Sequence, residues 1–123
     1  HGIPQRAHDF YNLFSEIDGI IISTAEHNRD LCAGFKNLLD WSSRVNVKVF
    51  KQKPMLLLST SPGGYGGQNA RLQAEKTLPA LDAKIVATFS LPKFEINFKN
   101  GAIIDRALDQ SLIEAVQEFT NHL

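Results

Sequence analysis

Residues 59–67 read Ser-Thr-Ser-Pro-Gly-Gly-Tyr-Gly-Gly and hold four of the chain's eight glycines, directly after the apolar run Met55-Leu56-Leu57-Leu58. Glycine has no Cβ, so a ligand can approach the main chain closely, and successive N–H groups at a helix start favour negative charge or carbonyl oxygens. A segment of this kind presents backbone rather than side chains, and its chemistry is the holding of a ligand. The plainer alternative is a tight strand-to-helix turn that needs positive φ. Four glycines exceed what one such turn needs. A second polar stretch, Ala25-Glu26-His27-Asn28, follows the β-branched run Ile20-Ile21-Ile22-Ser23-Thr24. Other chemistries lack their residues. There is no Ser-His-Asp order and no paired carboxylates for hydrolysis, and His1, His8 and His122 have no companion at metal-ligand spacing. Cys32, the one cysteine, leaves too few sulfurs for a zinc or iron–sulfur site and excludes an internal disulfide.

The elements that must position these two stretches follow from periodicity. Residues 6–16 carry Ala7, Phe10 and Phe14, followed by Ile17, at helical spacing. Asp18-Gly19 ends that helix. The run at 20–24 is too continuous for a half-exposed strand and is expected to be buried on both faces. Residues 31–43 read as a second helix through Leu31, Phe35, Leu38 and Leu39. Pro54 opens a buried strand at 55–58, where a proline is tolerated at the first position. Residues 68–81 are helical through Ala70, Leu72, Ala74, Leu78 and Leu81, and 83–89 form a third strand. Phe94, Ile96 and Phe98 alternate strictly, as a short edge strand or a hairpin arm would. A last amphipathic helix runs from about Asp105 through Leu108, Leu112, Val116, Phe119 and Leu123.

Strands alternating with helices imply parallel pairing and right-handed crossovers, hence an α/β open parallel sheet with helices on both faces. Ligands of such sheets sit outside the carboxyl ends of the strands, and both polar stretches fall there. The 123 residues, 43% hydrophobic, make one domain with a real core. Thirteen basic and thirteen acidic side chains give zero net charge, so no global field recruits nucleic acid or an anionic membrane. No apolar stretch approaches the roughly 20 residues needed to cross a bilayer, and the start lacks a signal pattern. A soluble protein of the reducing cytoplasm is the expectation.

The stretches DGIIISTAEHN (18–28), FKNLLDWSSR (35–44), QKPMLLLSTSPGGYGG (52–67) and LPKF (91–94) resemble the NADPH-dependent FMN reductase family of flavodoxin-like proteins, which also includes quinone, azo-dye and chromate reductases. The resemblance covers about residues 17–94. It implies a flavodoxin-like fold, FMN as cofactor, NADPH or NADH as hydride donor, a free flavin, quinone or other small molecule as electron acceptor, and a homo-oligomer. It also implies site residues. A Pro-Glu-Tyr-Asn loop that packs around the flavin ring corresponds to Ala25, Glu26, His27 and Asn28. A Ser-Pro-Gly-Gly loop that brings backbone to the ring's other edge corresponds to Ser61, Pro62, Gly63 and Gly64, with Tyr65 and Gly66 nearby. The flavin carries the chemistry, so no side chain is assigned a catalytic role.

Some positions depart from the family pattern. Ala25 replaces proline, and His27 replaces an aromatic, usually tyrosine; an imidazole can stack on the ring too. Arg29 and Asp30 stand where small residues are common. Family members begin with a strand and a Ser-, Arg- and Asn-rich loop that holds the FMN phosphate. These residues have no counterpart here, so the chain reads as the C-terminal portion of the fold. A shortened fold of this kind admits a second reading, a non-enzymatic binding or assembly module that pairs with other subunits through its apolar faces and open edge. Lys36, Asn37, Asp40 and Trp41 match the family's Lys-Asn-x-x-Asp-Trp motif, on a helix that lies near the subunit interface in relatives. By their residues alone, Lys36 and Asp40 form an i,i+4 pair and Trp41 is a partly buried packing anchor. Cys32 reads as a small buried hydrophobe.

Overall fold

The computed structural model describes residues 2–123. His1 lies outside them. The elements run α1 (Gln5–Leu13), β1 (Ile20–Thr24), β2 (Glu26–His27), β3 (Asp30–Leu31), α2 (Ala33–Val45), β4 (Pro54–Thr60), α3 (Gln68–Thr77), a 3₁₀ turn (Leu78–Leu81), β5 (Lys84–Leu91), α4 (Phe94–Asn97), β6 (Phe98–Lys99), β7 (Ala102–Ile103) and α5 (Arg106–Thr120). β1, β4 and β5 form a parallel sheet in the order β1-β4-β5. Thr24 is level with Ser59, and Thr60 with Leu91, so the loops that leave the three strands gather at one edge.

β4 is central, and the continuous apolar run that marks a two-face-buried strand is realised there. Met55, Leu56 and Leu57 are at most 1% exposed. Met55 and Leu57 face Phe14, Leu39, Ala70, Ala74 and Leu78 from α1, α2, α3 and the turn after it, while Leu56 faces Ala115 and Phe119 of α5. Helices thus cover both sheet faces, as expected. β1 departs from the expectation of burial on both faces. Ile20 and Thr24 are buried, but Ile21 is 59% exposed and Ser23 is open. β1 is an outer strand, and α5 packs mainly on β5 and β4. Side chains alternate across a strand, so one face of β1 has a cover and the other does not.

Helical periodicity predicts the right helices with some wrong faces. On α3, Ala70 and Ala74, followed by Leu78, repeat every fourth residue and are buried, whereas Leu72 lies across the helix and is 47% exposed. On α5 the buried stripe is Ala115 and Phe119, and the expected Val116 faces outward. α1 stops at Leu13, short of residue 16, and Phe14 closes it as the C-cap. Phe10 and Phe14 lie 4.9 Å apart, and Phe14 lies 5.1 Å from Phe50, a fully buried anchor from a segment to which periodicity assigns no element. The 3₁₀ turn carries Pro79, whose missing N–H is tolerated at the start of a helical turn.

Leu31 belongs to a small hairpin rather than to α2. Glu26 pairs with Leu31 and His27 with Asp30, around Asn28 and Arg29 with φ of 52° and 67°. Two consecutive left-handed residues make the two-residue turn whose twist suits a β-hairpin. The alternating residues 94–98 divide between α4 and β6, so the hairpin-arm alternative holds only for Phe98, which pairs with Ile103. On α2, Lys36 and Asp40 form the expected pair at 2.7 Å, exposed to solvent. Trp41 is 41% exposed, more open than a packing anchor. Cys32, just before α2, is half-buried.

Candidate functional site

Three loops meet at the carboxyl edge of the sheet: 25–28 after β1, 61–67 after β4 and 91–94 after β5. The sequence assigns ligand roles to the first two. The third is tied to the second by backbone bonds, with Lys93 N–H donating to the Gly63 carbonyl at 2.8 Å and Phe94 N–H to the Ser61 carbonyl at 3.0 Å. The Leu-Pro-Lys-Phe stretch was its only sequence signal.

The four glycines of 63–67 divide into two pairs. Gly66 and Gly67 have φ of 60° and 73°. A Cβ on Gly66 would lie 2.7 Å from the Leu91 carbonyl oxygen, and one on Gly67 3.0 Å from that of Thr60. These two glycines are demands of the fold, the turn that takes β4 into α3. Gly63 and Gly64 are different. Neither has positive φ, and a Cβ on either would meet nothing within 4 Å. Among the described residues, the amides of Gly63, Gly64 and Tyr65 donate no hydrogen bond within the chain. Those N–H groups and the bare space beside them are what a planar ring bearing carbonyls and ring nitrogens requires of a protein. The residues present therefore fit the ring of FMN, since the amides of Gly63, Gly64 and Tyr65 are free to donate to it. Tyr65 is 76% exposed beside them.

The hairpin places the other candidates. Glu26 reaches across to α3, whose N-cap residue Gly67 has no side chain, and its Oε1 accepts the Ala70 N–H at 2.9 Å. A carboxylate from another loop thus caps the helix and meets the positive end of its dipole. That bond joins loop 25–28 to the start of α3. His27 and Asn28 are exposed, His27 on the strand and Asn28 in its turn, and Ala25 precedes them, also exposed. Glu26→Ala is expected to cost about 1–2 kcal/mol and lower the melting temperature by about 4–8 °C, while Glu26→Gln, which keeps an acceptor, should lose less than half of that. Thermal unfolding followed by circular dichroism reads both.

Beneath the glycine loop the strand ends carry a polar cluster. Ser59, 3% exposed, bonds the Gly66 carbonyl at 2.7 Å and the Ser90 hydroxyl at 2.6 Å. Thr60 donates to the Leu91 carbonyl at 2.8 Å. On the α5 side of the same edge, a cavity of about 550 Å³ opens between the sheet, the β6–β7 hairpin and α5, walled mainly by Leu58, Phe89, Phe94, Phe98, Ile103 and Leu112. Its apolar walls suit an uncharged or aromatic body.

The description of the NADPH-dependent FMN reductase family matches residues 1–95. The chain belongs to that family. It is 28% identical over 123 residues to a quinone reductase of Escherichia coli, covering 99% of this chain and 61% of that protein. To an NAD(P)H-dependent FMN reductase of Pseudomonas aeruginosa it is 29% identical, covering 95% of this chain and 63% of the relative. The chain therefore spans a little over three-fifths of the length of these curated relatives. Among solved structures, a flavoenzyme NAD(P)H:(acceptor) oxidoreductase from Paracoccus denitrificans superposes with a TM-score of 0.72 at 22% identity, covering 97% of this chain and 70% of that one. Membership fits the sheet and the placing of the two family loops at its carboxyl edge.

Proposed function

We propose that the protein carrying this chain is an NAD(P)H-dependent flavin or quinone reductase, with FMN held between loops 25–28 and 61–67. The observation that carries the reading is the pairing of unbonded amides at Gly63, Gly64 and Tyr65 with glycines that the fold itself does not require. Membership of the FMN reductase family and relatives named quinone reductase and NADPH:quinone oxidoreductase support it. When bound, FMN supplies the redox chemistry, taking hydride from NADPH or NADH and passing electrons to a small acceptor.

The chain's own residues bind and orient. Backbone donors from Gly63, Gly64 and Tyr65 favour negative charge on the ring. Ala25, Glu26, His27 and Asn28 form the opposite wall, with the Glu26 carboxylate committed to α3 and the His27 imidazole free to lie against a ring face. Ser61 and Pro62 lead the backbone into the glycines, and Gly66 turns it into α3. No residue of this set has to move a proton, and none is assigned as an acid or base. Exposed Ile21 on the outer strand and Trp41 on α2 offer apolar surface for pairing with further copies of the chain, so the assembly is read as a homo-oligomer. No helix among the described residues is long and apolar enough to cross a membrane, and a cytoplasmic setting suits the lone cysteine.

The protein at its native length, purified and scanned in the visible, is expected to show flavin absorbance or to acquire it with added FMN, and to oxidise NADPH or NADH when a quinone is supplied. A colourless protein with no response to FMN or quinone would sink the redox reading in favour of a binding module.

A further inference from the structure

The buried polar cluster under the glycine loop has one consistent order of protons. The Arg71 guanidinium only donates, and its Nε lies 2.7 Å from the Ser90 hydroxyl. The Gly66 carbonyl only accepts, 2.7 Å from the Ser59 hydroxyl. Between these fixed ends lies the Ser59–Ser90 contact at 2.6 Å. Ser59 must spend its proton on Gly66, so Ser90 donates to Ser59 and accepts from Arg71. Arg71 is held in turn by Glu75 at 3.2 Å, and its side chain is 14% exposed. The chain of donors runs one way, from a shielded cation on α3, across β5 and β4, to a single carbonyl in the loop. Aligned bonds polarise one another, and the cation at the head strengthens the last bond.

That carbonyl decides an orientation. The Gly66–Gly67 peptide is planar and trans, so its C=O and N–H point in opposite directions. Gly66 is conformationally permissive, and of itself does little to fix its peptide plane. With the oxygen held by Ser59, the Gly67 N–H points the opposite way; both glycines are buried, and among the described residues that N–H donates no hydrogen bond within the chain. We propose that Arg71, Ser90 and Ser59 are positioning residues that set the Gly66–Gly67 peptide and so hold the turn, bonded back from the Gly66 N–H to the Gly63 carbonyl, from which the free amides of Gly63, Gly64 and Tyr65 meet the ligand of the glycine loop. Resting on the FMN reading above, this assigns a role to three residues outside both family loops.

Two measurements on the native-length protein separate the relay from the reading it rests on. The first, on FMN-free protein, follows the Gly66 carbonyl and Gly67 amide resonances in Ser59→Ala, Ser90→Ala and Ser90→Thr. Both alanine variants are expected to shift them together, and Ser90→Thr, which keeps the hydroxyl, to restore wild-type values. The second is FMN affinity by fluorescence quenching, where each alanine variant should bind about tenfold more weakly. The double variant should be no weaker than Ser59→Ala, which already removes the bond to the Gly66 carbonyl. Loosening of the amides near the ring should also disfavour the more electron-rich reduced flavin. For a further tenfold preference for the oxidised form the midpoint potential falls by about 30 mV, a shift that loosened packing alone would not produce in one direction in both alanine variants and their double variant while sparing Ser90→Thr. Unmoved resonances in Ser90→Ala overturn the relay whatever FMN does. Wild-type protein that binds FMN, with alanine variants that bind it equally, overturns the relay alone. Wild-type protein that fails to bind FMN overturns the reading of the site.

Discussion

Gly66→Ala is expected to be the most damaging single-atom-group change in this chain. An alanine there must hold φ near 60°, a conformation that costs an L-residue about 1–2 kcal/mol. Its Cβ would also press on backbone, 2.7 Å from the Leu91 carbonyl oxygen, 2.8 Å from its carbon and 2.9 Å from the Pro92 nitrogen. Backbone of a neighbouring loop cannot swing aside as a side-chain tip can, and overpacking of this sort costs about 1–3 kcal/mol more. The sum, about 2–5 kcal/mol, corresponds to a fall of about 8–20 °C in melting temperature. Differential scanning calorimetry decides it. A fall below 3 °C would mean that loops 61–67 and 91–94 separate freely, contrary to the bonds from Lys93 and Phe94 that join them.

The second large effect is the converse, a loss of ligand with no loss of fold. In Gly63→Val and Gly64→Val the new side chain enters open space, so stability should stay within about 0.5 kcal/mol, as for ordinary surface changes. That space is where the ring is proposed to lie. FMN affinity should drop at least tenfold, about 1.4 kcal/mol, because a branched side chain keeps the ring from the amides. Fluorescence titration together with a melting curve reads both halves. Unchanged FMN affinity would remove these glycines from the site. Lost stability would instead make them ordinary turn residues like their neighbours Gly66 and Gly67.

That contrast between neighbouring glycines marks the boundary of what the sequence holds. The bounds of β1 were legible outright, since Ile20-Ile21-Ile22-Ser23-Thr24 has only one way to satisfy both its β-branched stiffness and its flanking Asp18-Gly19 turn. Periodicities of 2 and 3.6 are local properties of the chain. They yielded the order of strands and helices, the parallel sheet and the gathering of both polar stretches at one edge. The family motifs added the cofactor and two loops proposed to hold it.

What periodicity could not carry was every choice settled between segments distant in the chain. Ile21 looks as buried as Ile20 by composition, and is open because β1 is an outer strand and α5 packs mainly on its neighbours β4 and β5. Glu26 reads as a ligand-loop carboxylate, and its Oε1 is taken by an amide 44 residues away that Gly67 cannot cap. Four glycines are one letter repeated, yet Leu91 and Thr60, brought in by neighbouring strands, make two of them obligatory and leave two free. The order of protons from Arg71 to Gly66 exists only after β4, β5 and α3 have packed, because a hydrogen bond needs its partners within about 3 Å. The sequence by itself determined the three sheet strands, the main helices between them and the edge where ligand chemistry belongs. Only tertiary structure decided which atoms at that edge remain unbonded, since that depends on which partners the rest of the chain has already taken.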